Sequence, residues 1–239
     1  LYFGKHPASV PGNSVIVFPC SDNIFNCGLV GIVYVKKGQN SDGPGFQMPD
    51  FGQIEATIND NNFNRQWSHY NDGTFSLSNS TVDADIDTDL AWDITQGDPN
   101  LVVAILDSGA KLDHPEFSGR IWLNTNENQN GSDSDSNNYI DDINGWDFAN
   151  NDNDPTDDHG HGTNVTGIAL ASGNNTTGYA GVNWNSKIMI CKILDNNNSG
   201  YYSWWAEAIY YAVDNGASII NGSFGKSYSP HSDWFREAI

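Results

Sequence analysis

Positive charge is scarce in this chain, with 10 Lys and Arg against 30 Asp and Glu and a formal charge of −20. A surface of that sign repels phosphate backbones and anionic lipid, so nucleic acid and membrane surfaces are not expected partners. Long apolar runs are missing too, and none approaches the ~18 residues that suggest a membrane span. The opening "LYFGKHPASV" has neither an initiator Met nor a signal-peptide pattern, and the chain is expected to have been cut or shortened at its front. Cysteine is limited to three residues. Cys20 and Cys27 are close enough in sequence to pair across a short loop, whereas Cys191 lies in the apolar "KIMICKIL" and reads as a buried thiol. Three cysteines do not fix the compartment; the acidic, Asn-rich composition favours export.

What is present suffices for a core, since 38% of the residues are hydrophobic. Residues 1–58 mix "GLVGIVYVKK" with a Gly/Pro-rich stretch and show no helical period, which reads as a separate leader before a domain at 59–239. From about residue 85 apolar runs ("LVVAIL", "SKIMICKIL", "ASIING") alternate with helical patterns ("TNVTGIALAS", "SWWAEAIYYAVDN"). That alternation predicts an α/β fold with a parallel sheet covered on both faces. In the second helix Trp205, Ala208, Ile209, Ala212 and Val213 recur at three and four and should face the core, with Gly216 as the C-terminal stop. Between the first strand and the first of these helices runs "NENQNGSDSDSNNYIDDINGWDFANNDNDPTDD", a surface excursion that is either solvated or holds cations.

Asp107 directly follows "LVVAIL", at the carboxyl end of a buried strand where open α/β sheets place their working residues. Taken alone, Asp-Ser-Gly is also ordinary turn chemistry. His161 opens a helix between Gly160 and Gly162, and two flanking glycines admit close approach by another backbone or by a substrate.

Together, "AILDSG", "DDHGHGTNVTGI" and "ASIINGSFG", in that order, resemble the subtilisin-like serine proteases, the subtilase family. The resemblance implies a three-layer α/β fold with a mostly parallel sheet, and it carries two roles of a Ser-His-Asp triad onto Asp107 and His161. His159 falls where the family varies, and Asn164 replaces a His that the family usually has. A serine hydroxyl is a weak nucleophile and needs an imidazole to take its proton, while the carboxylate fixes the tautomer. A helix N-terminus should disfavour the imidazolium and keep His161 available as a base. The resemblance further implies that the substrate peptide lies as an added strand between two edges. Ser199, Gly200, Ser223 and Gly225 would supply backbone contacts, and Tyr202 and Phe224 would wall side-chain pockets. No Gly-Thr-Ser-x-Ala element follows, so the chain is expected to be the front of a catalytic domain shortened at its C-terminus.

The Asp-to-His interval is longer than the family's roughly 30 residues, and the extra residues fall in the acidic excursion. There Asp133, Asp135, Asn137 and Asp141 alternate as oxygen ligands do around a hard cation. The family resemblance nominates two further calcium sites: Asp147, Asp152 and Asp154, and Glu116 with Asn175 and Thr177. It also makes the leader the tail of an inhibitory propeptide. The expectation is therefore a secreted, monomeric, calcium-stabilised endopeptidase acting on extended polypeptide, with its serine missing from these 239 residues. The alternative is a catalytically silent relative that binds calcium or peptide.

Overall fold

Three apolar runs become the spine of a parallel sheet. In the computed structural model, which describes residues 58–75 and 80–225 with the backbone of 13–14 and 35–36, these are β3 (Val102–Asp107), β5 (Lys187–Lys192) and β6 (Ile219–Gly222). A short strand, β4 (Gly145–Asp147), extends the sheet to the order β4-β5-β3-β6, with every neighbour parallel. Two residue pairs earlier in the chain, β1 (Asn13–Ser14) and β2 (Val35–Lys36), form a separate antiparallel ladder. The rest of residues 1–57, with Cys20 and Cys27, and residues 226–239 lie outside the described residues.

Continuous apolar runs are what a sheet buried on both faces requires. Alternate residues of β3 serve opposite layers. Val103 and Ile105 pack with Phe117, Ala169 and Leu170 on the side of α2 (His161–Leu170). Ala104 and Leu106 pack with Trp205, Ala208, Ile209 and Ala212 of α3 (Tyr202–Asp214). The outcome is a three-layer α/β arrangement, as expected. Cys191 is buried in the second of these layers, and burial pushes its thiol well above the ordinary range. Among the described residues no helix is long and apolar enough to cross a membrane.

Two details differ from the sequence reading. Val213 is 50% exposed, and Tyr211 takes its place in the core. The cause is the acidic excursion, which folds back on α3: Tyr139 meets Tyr211 edge-on at 4.9 Å, and the Tyr211 hydroxyl donates to Asp142 at 2.6 Å. β4 itself is the other difference, a three-residue strand inside a segment read as polar loop.

A third cluster ties the region before β3 to the loop after α2. Trp92, on α1 (Thr88–Ile94), packs against Trp184 at 4.5 Å with Ala180 beside them. Above them His69 is 1% exposed, between Phe63 and Trp92, with Nδ1 2.6 Å from the Thr88 hydroxyl. Burial pushes its pKa down from 6.5 to about 4, against smaller upward pulls from the Ala180 carbonyl and Asp85.

Candidate active site

In a parallel sheet the strand ends gather at one edge, and β3 delivers Asp107 there fully buried. Its Oδ1 accepts the Ser108 amide at 2.7 Å and faces His161 Nδ1 at 2.7 Å. A carboxylate offers only acceptors, so Nδ1 carries the proton and Nε2 keeps its lone pair. The imidazole is one-third exposed.

Main chain brings the two residues together. Gly160, the residue before α2, adopts φ +97°, a conformation side chains resist. At Gly162 a Cβ would stand 2.1 Å from the Gly109 carbonyl and 3.1 Å from Asp107 Cβ. The first turn of α2 therefore rests directly on the turn after β3, which is the close approach that the flanking glycines suggested.

The electrostatics reverse one expectation. The helix N-terminus was expected to hold His161 neutral, yet its pKa is raised: the hydrogen bond that its Nδ1 donates to Asp107 acts most strongly, burial opposes it, and the charges of Asp107 and Asp157 add to the rise. Two carboxylates outweigh the partial charge of one helix end. An imidazole oriented by a buried carboxylate, with Nε2 open, is equipped to take a proton from a nucleophile and return it to a leaving group.

Sequence reasoning missed three residues around this pair. Asp157 bonds the backbone around His161 and the Ser108 hydroxyl. Ser108 in turn accepts from the Gly162 amide at 2.9 Å. Lys192, opposite Asp107 in the β3/β5 register, is 1% exposed and places all three ammonium donors on Ser108 O, Leu194 O and Asp158. The one signal for it was a lysine closing an apolar run, since buried lysines are rare unless paired. Asn164 is exposed and only closes the first turn of α2, its Nδ2 donating to Gly160 O at 3.0 Å.

The two aromatic residues of the expected substrate edges share one neighbour. Tyr202 packs edge-on against Trp205 at 4.9 Å, and Phe224 lies on Trp205 at 4.3 Å. Trp205 is thus the common neighbour of Tyr202, after Ser199 and Gly200, and of Phe224, between Ser223 and Gly225. Ser199 O already accepts from the Asp195 amide at 2.8 Å, and Ser223 Oγ accepts from Asn221 Nδ2 at 3.1 Å.

The expected cation ligands separate into those that converge and those that do not. In the excursion, oxygens of Glu127, Asp135 and Asp142 lie within 4.8 Å of one another. Asn137 binds this group, its Nδ2 donating to Asp135 and Asp142. Asp133 and Asp141 instead cap backbone amides, at Asn137 and Asn138 and at Asn130 and Gly131. Asp147, Asp152 and Asp154 each close their own turn, on Ala149 and Asn150, on Asp154 and on Thr156, and do not converge. Glu116 is 5% exposed: Oε2 accepts from Asn175 Nδ2 at 2.9 Å, and Oε1 is buried with no partner. The Thr177 amide donates to Asn175 Oδ1 at 2.8 Å, which curls the loop towards it. A second buried carboxylate, Asp60, was not anticipated. Its Oδ2 accepts the Asn174 amide at 2.6 Å, and its Oδ1 is likewise unpartnered. Two buried carboxylate oxygens without donors, both anchored to one loop, fit a hard cation.

Comparison with known proteins gives a consistent picture. The profile of the subtilase family matches residues 98–239. Subtilisin-like protease 1 of Plasmodium berghei is 42% identical over 139 residues, 57% of this chain and 23% of its own length. The thermophilic serine proteinase of Bacillus sp. (strain AK1) is 41% identical over 138 residues, 58% of this chain and 29% of its own. Thermitase of Thermoactinomyces vulgaris is 36% identical over 135 residues, 56% and 40% respectively. This chain thus spans between 23% and 40% of the length of these three relatives. A crystal structure of a cold-adapted subtilisin-like serine proteinase aligns at 23% identity with a TM-score of 0.41, over 59% of this chain and 42% of that one. The family match spans more than half of the sequence and contains both Asp107 and His161, and the chain belongs to the subtilase family.

Proposed function

We propose that the protein to which this sequence belongs is a secreted, calcium-stabilised serine endopeptidase acting on extended polypeptides. The observation that carries the reading is the 2.7 Å contact between His161 Nδ1 and the buried Asp107 at the carboxyl edge of the sheet. His161 Nε2 takes the proton of a serine hydroxyl supplied from outside these 239 residues, and Asp107 stabilises the imidazolium that forms. His161 then returns the proton to the departing amine, which leaves an acyl-enzyme for water to hydrolyse. The peptide adds as a strand between Ser199–Gly200 and Ser223–Gly225, with its side chains against Tyr202 and Phe224.

Calcium fits the Asp60 and Glu116 carboxylates with Asn175 and Thr177 of the intervening loop, where its contribution is to neutralise buried charge and fix the loop. Glu127, Asp135 and Asp142 offer a second group of carboxylates. The net charge of −20 suits an exported, monomeric protein.

The test is hydrolysis of an unfolded protein such as casein by the full-length protein. Activity should be blocked by a serine-directed phosphonate and should fall about 10⁴-fold or more in His161→Ala. A folded full-length protein that neither cleaves casein nor reacts with the phosphonate would leave a peptide or calcium binder in its place.

A further inference from the structure

We propose that Asp157 is a positioning residue for His161, one carboxylate that both sets the base against Asp107 and supplies a second negative charge to its imidazolium. The proposal rests on the reading of His161 as the base. Five donors converge on this carboxylate. Oδ1 accepts from Ser108 Oγ at 2.9 Å, the His159 amide at 3.0 Å and the Gly160 amide at 2.8 Å. Oδ2 accepts from the Thr163 amide at 2.8 Å and the Thr163 hydroxyl at 2.5 Å.

These donors lie on either side of the Asp107–His161 contact. Ser108 is the residue after Asp107, while Gly160 and Thr163 bracket His161. The Ser108 hydroxyl completes the circuit by accepting from the Gly162 amide. Gly160, as N-cap of α2, has no side chain with which to satisfy the first amides of the helix. Asp157 does so from three residues upstream, as an N-cap side chain would. Moving Asp157 would therefore release the start of α2 and the turn after β3 together, and with them both ends of the 2.7 Å contact.

The charge matters separately from the bonds. Around His161 the ionisable neighbours are Asp107, Asp157, His159 with ring centres 6.4 Å apart, the Asp158–Lys192 pair at 2.7 Å, and the exposed Lys111–Asp113 pair at 2.6 Å. The last two pairs are internally neutralised, which leaves His159, exposed to solvent, and the two carboxylates whose charges act on His161, Asp107 and Asp157. Burial alone would raise the Asp157 pKa, but its hydrogen bonds, from Thr163 first, outweigh burial and keep it ionised.

Asp157→Asn in the full-length protein tests both parts. The His161 pKa, read by NMR of ¹³Cε1-labelled histidine with His161→Ala identifying the resonance, should fall by about half a pH unit. The acidic limb of kcat/KM should move down by the same amount, and plateau kcat/KM should drop on the order of tenfold from lost alignment. Thr163→Val removes a hydroxyl donor but keeps the charge, and should lower the plateau without moving the limb. If Asp157→Asn does not fold, Asp157→Ser, which removes the charge and keeps an acceptor, replaces it. An unmoved His161 pKa in the charge-free variant, or an equal shift in Thr163→Val, would overturn the proposal. The NMR titration needs no hydrolysis, so a wild-type protein without activity would defeat the protease reading while still deciding this one.

Discussion

Acid should loosen this protein through one histidine far from its chemistry. His69 is 1% exposed and held neutral, with its pKa lowered from 6.5 to about 4. In the unfolded chain it titrates normally. Above pH 6.5 neither state binds the proton and His69 contributes no slope. Between 6.5 and 4 the unfolded state takes a proton that the folded state refuses, so stability falls by about 1.4 kcal/mol per pH unit. The full loss, reached below pH 4, is about 3 kcal/mol. Carboxylates titrate in the same window, so the informative quantity is the difference from His69→Leu, which has no proton to bind and keeps the ring site apolar. The loss of the Thr88 contact shifts that variant by an amount independent of pH. Urea unfolding, followed by tryptophan fluorescence from Trp92 at 5.2 Å, would be run from pH 7.5 to 4.5 in a His161→Ala background to prevent self-digestion. Wild type should lose about 2.5 kcal/mol relative to His69→Leu across that range. A difference constant to within about 0.5 kcal/mol would mean that the buried ring is protonated in the folded state, and the argument from burial would be wrong.

Two other expectations concern the site and its supports. With calcium a hundredfold above its Kd, chelation should cost about 3 kcal/mol at the Glu116 site, and Glu116→Gln should remove that share of the calcium-dependent rise in Tm; a Tm indifferent to chelator would rule the cation out. Lys192→Met strands the Ser108 and Leu194 carbonyls, and the urea midpoint should drop by an amount corresponding to about 2–3 kcal/mol, whereas an unchanged midpoint would show that water reaches them.

The parts of this molecule that could be read from sequence are those that depend on local period or on a short motif. β3, β5 and β6 are continuous apolar runs, α3 has its three-four spacing, and Asp107 and His161 sit in recognisable strings. Val213 was misplaced because the face that α3 buries is widened towards Tyr211 by a loop some 70 residues earlier in the chain, and helical spacing carries no information about such a partner. β4 was missed because three residues show no period; their extended form comes from pairing with β5. The same limit explains the cation ligands. Alternation within "DSDSNNYIDD" selected Asp133 and Asp141, but which oxygens converge depends on the fold-back that brings Glu127 beside Asp142. Asp60 and Glu116 meet the same loop from distant positions, and Asp157 looked like one more acid in an acidic stretch.

The contact of Gly162 with the carbonyl of Gly109 has a bearing on how this protein can change. Where Gly162 meets Gly109, main chain touches main chain with no side chain as a spacer, and the Ser108 and Asp157 side chains hold the two turns in that contact. Apolar residues behind β3 and α2 can therefore be exchanged over generations, or by an engineer seeking heat resistance, without resetting that contact. The glycine that permits the contact cannot be exchanged in this way, because the smallest possible addition, one methyl group, is excluded there.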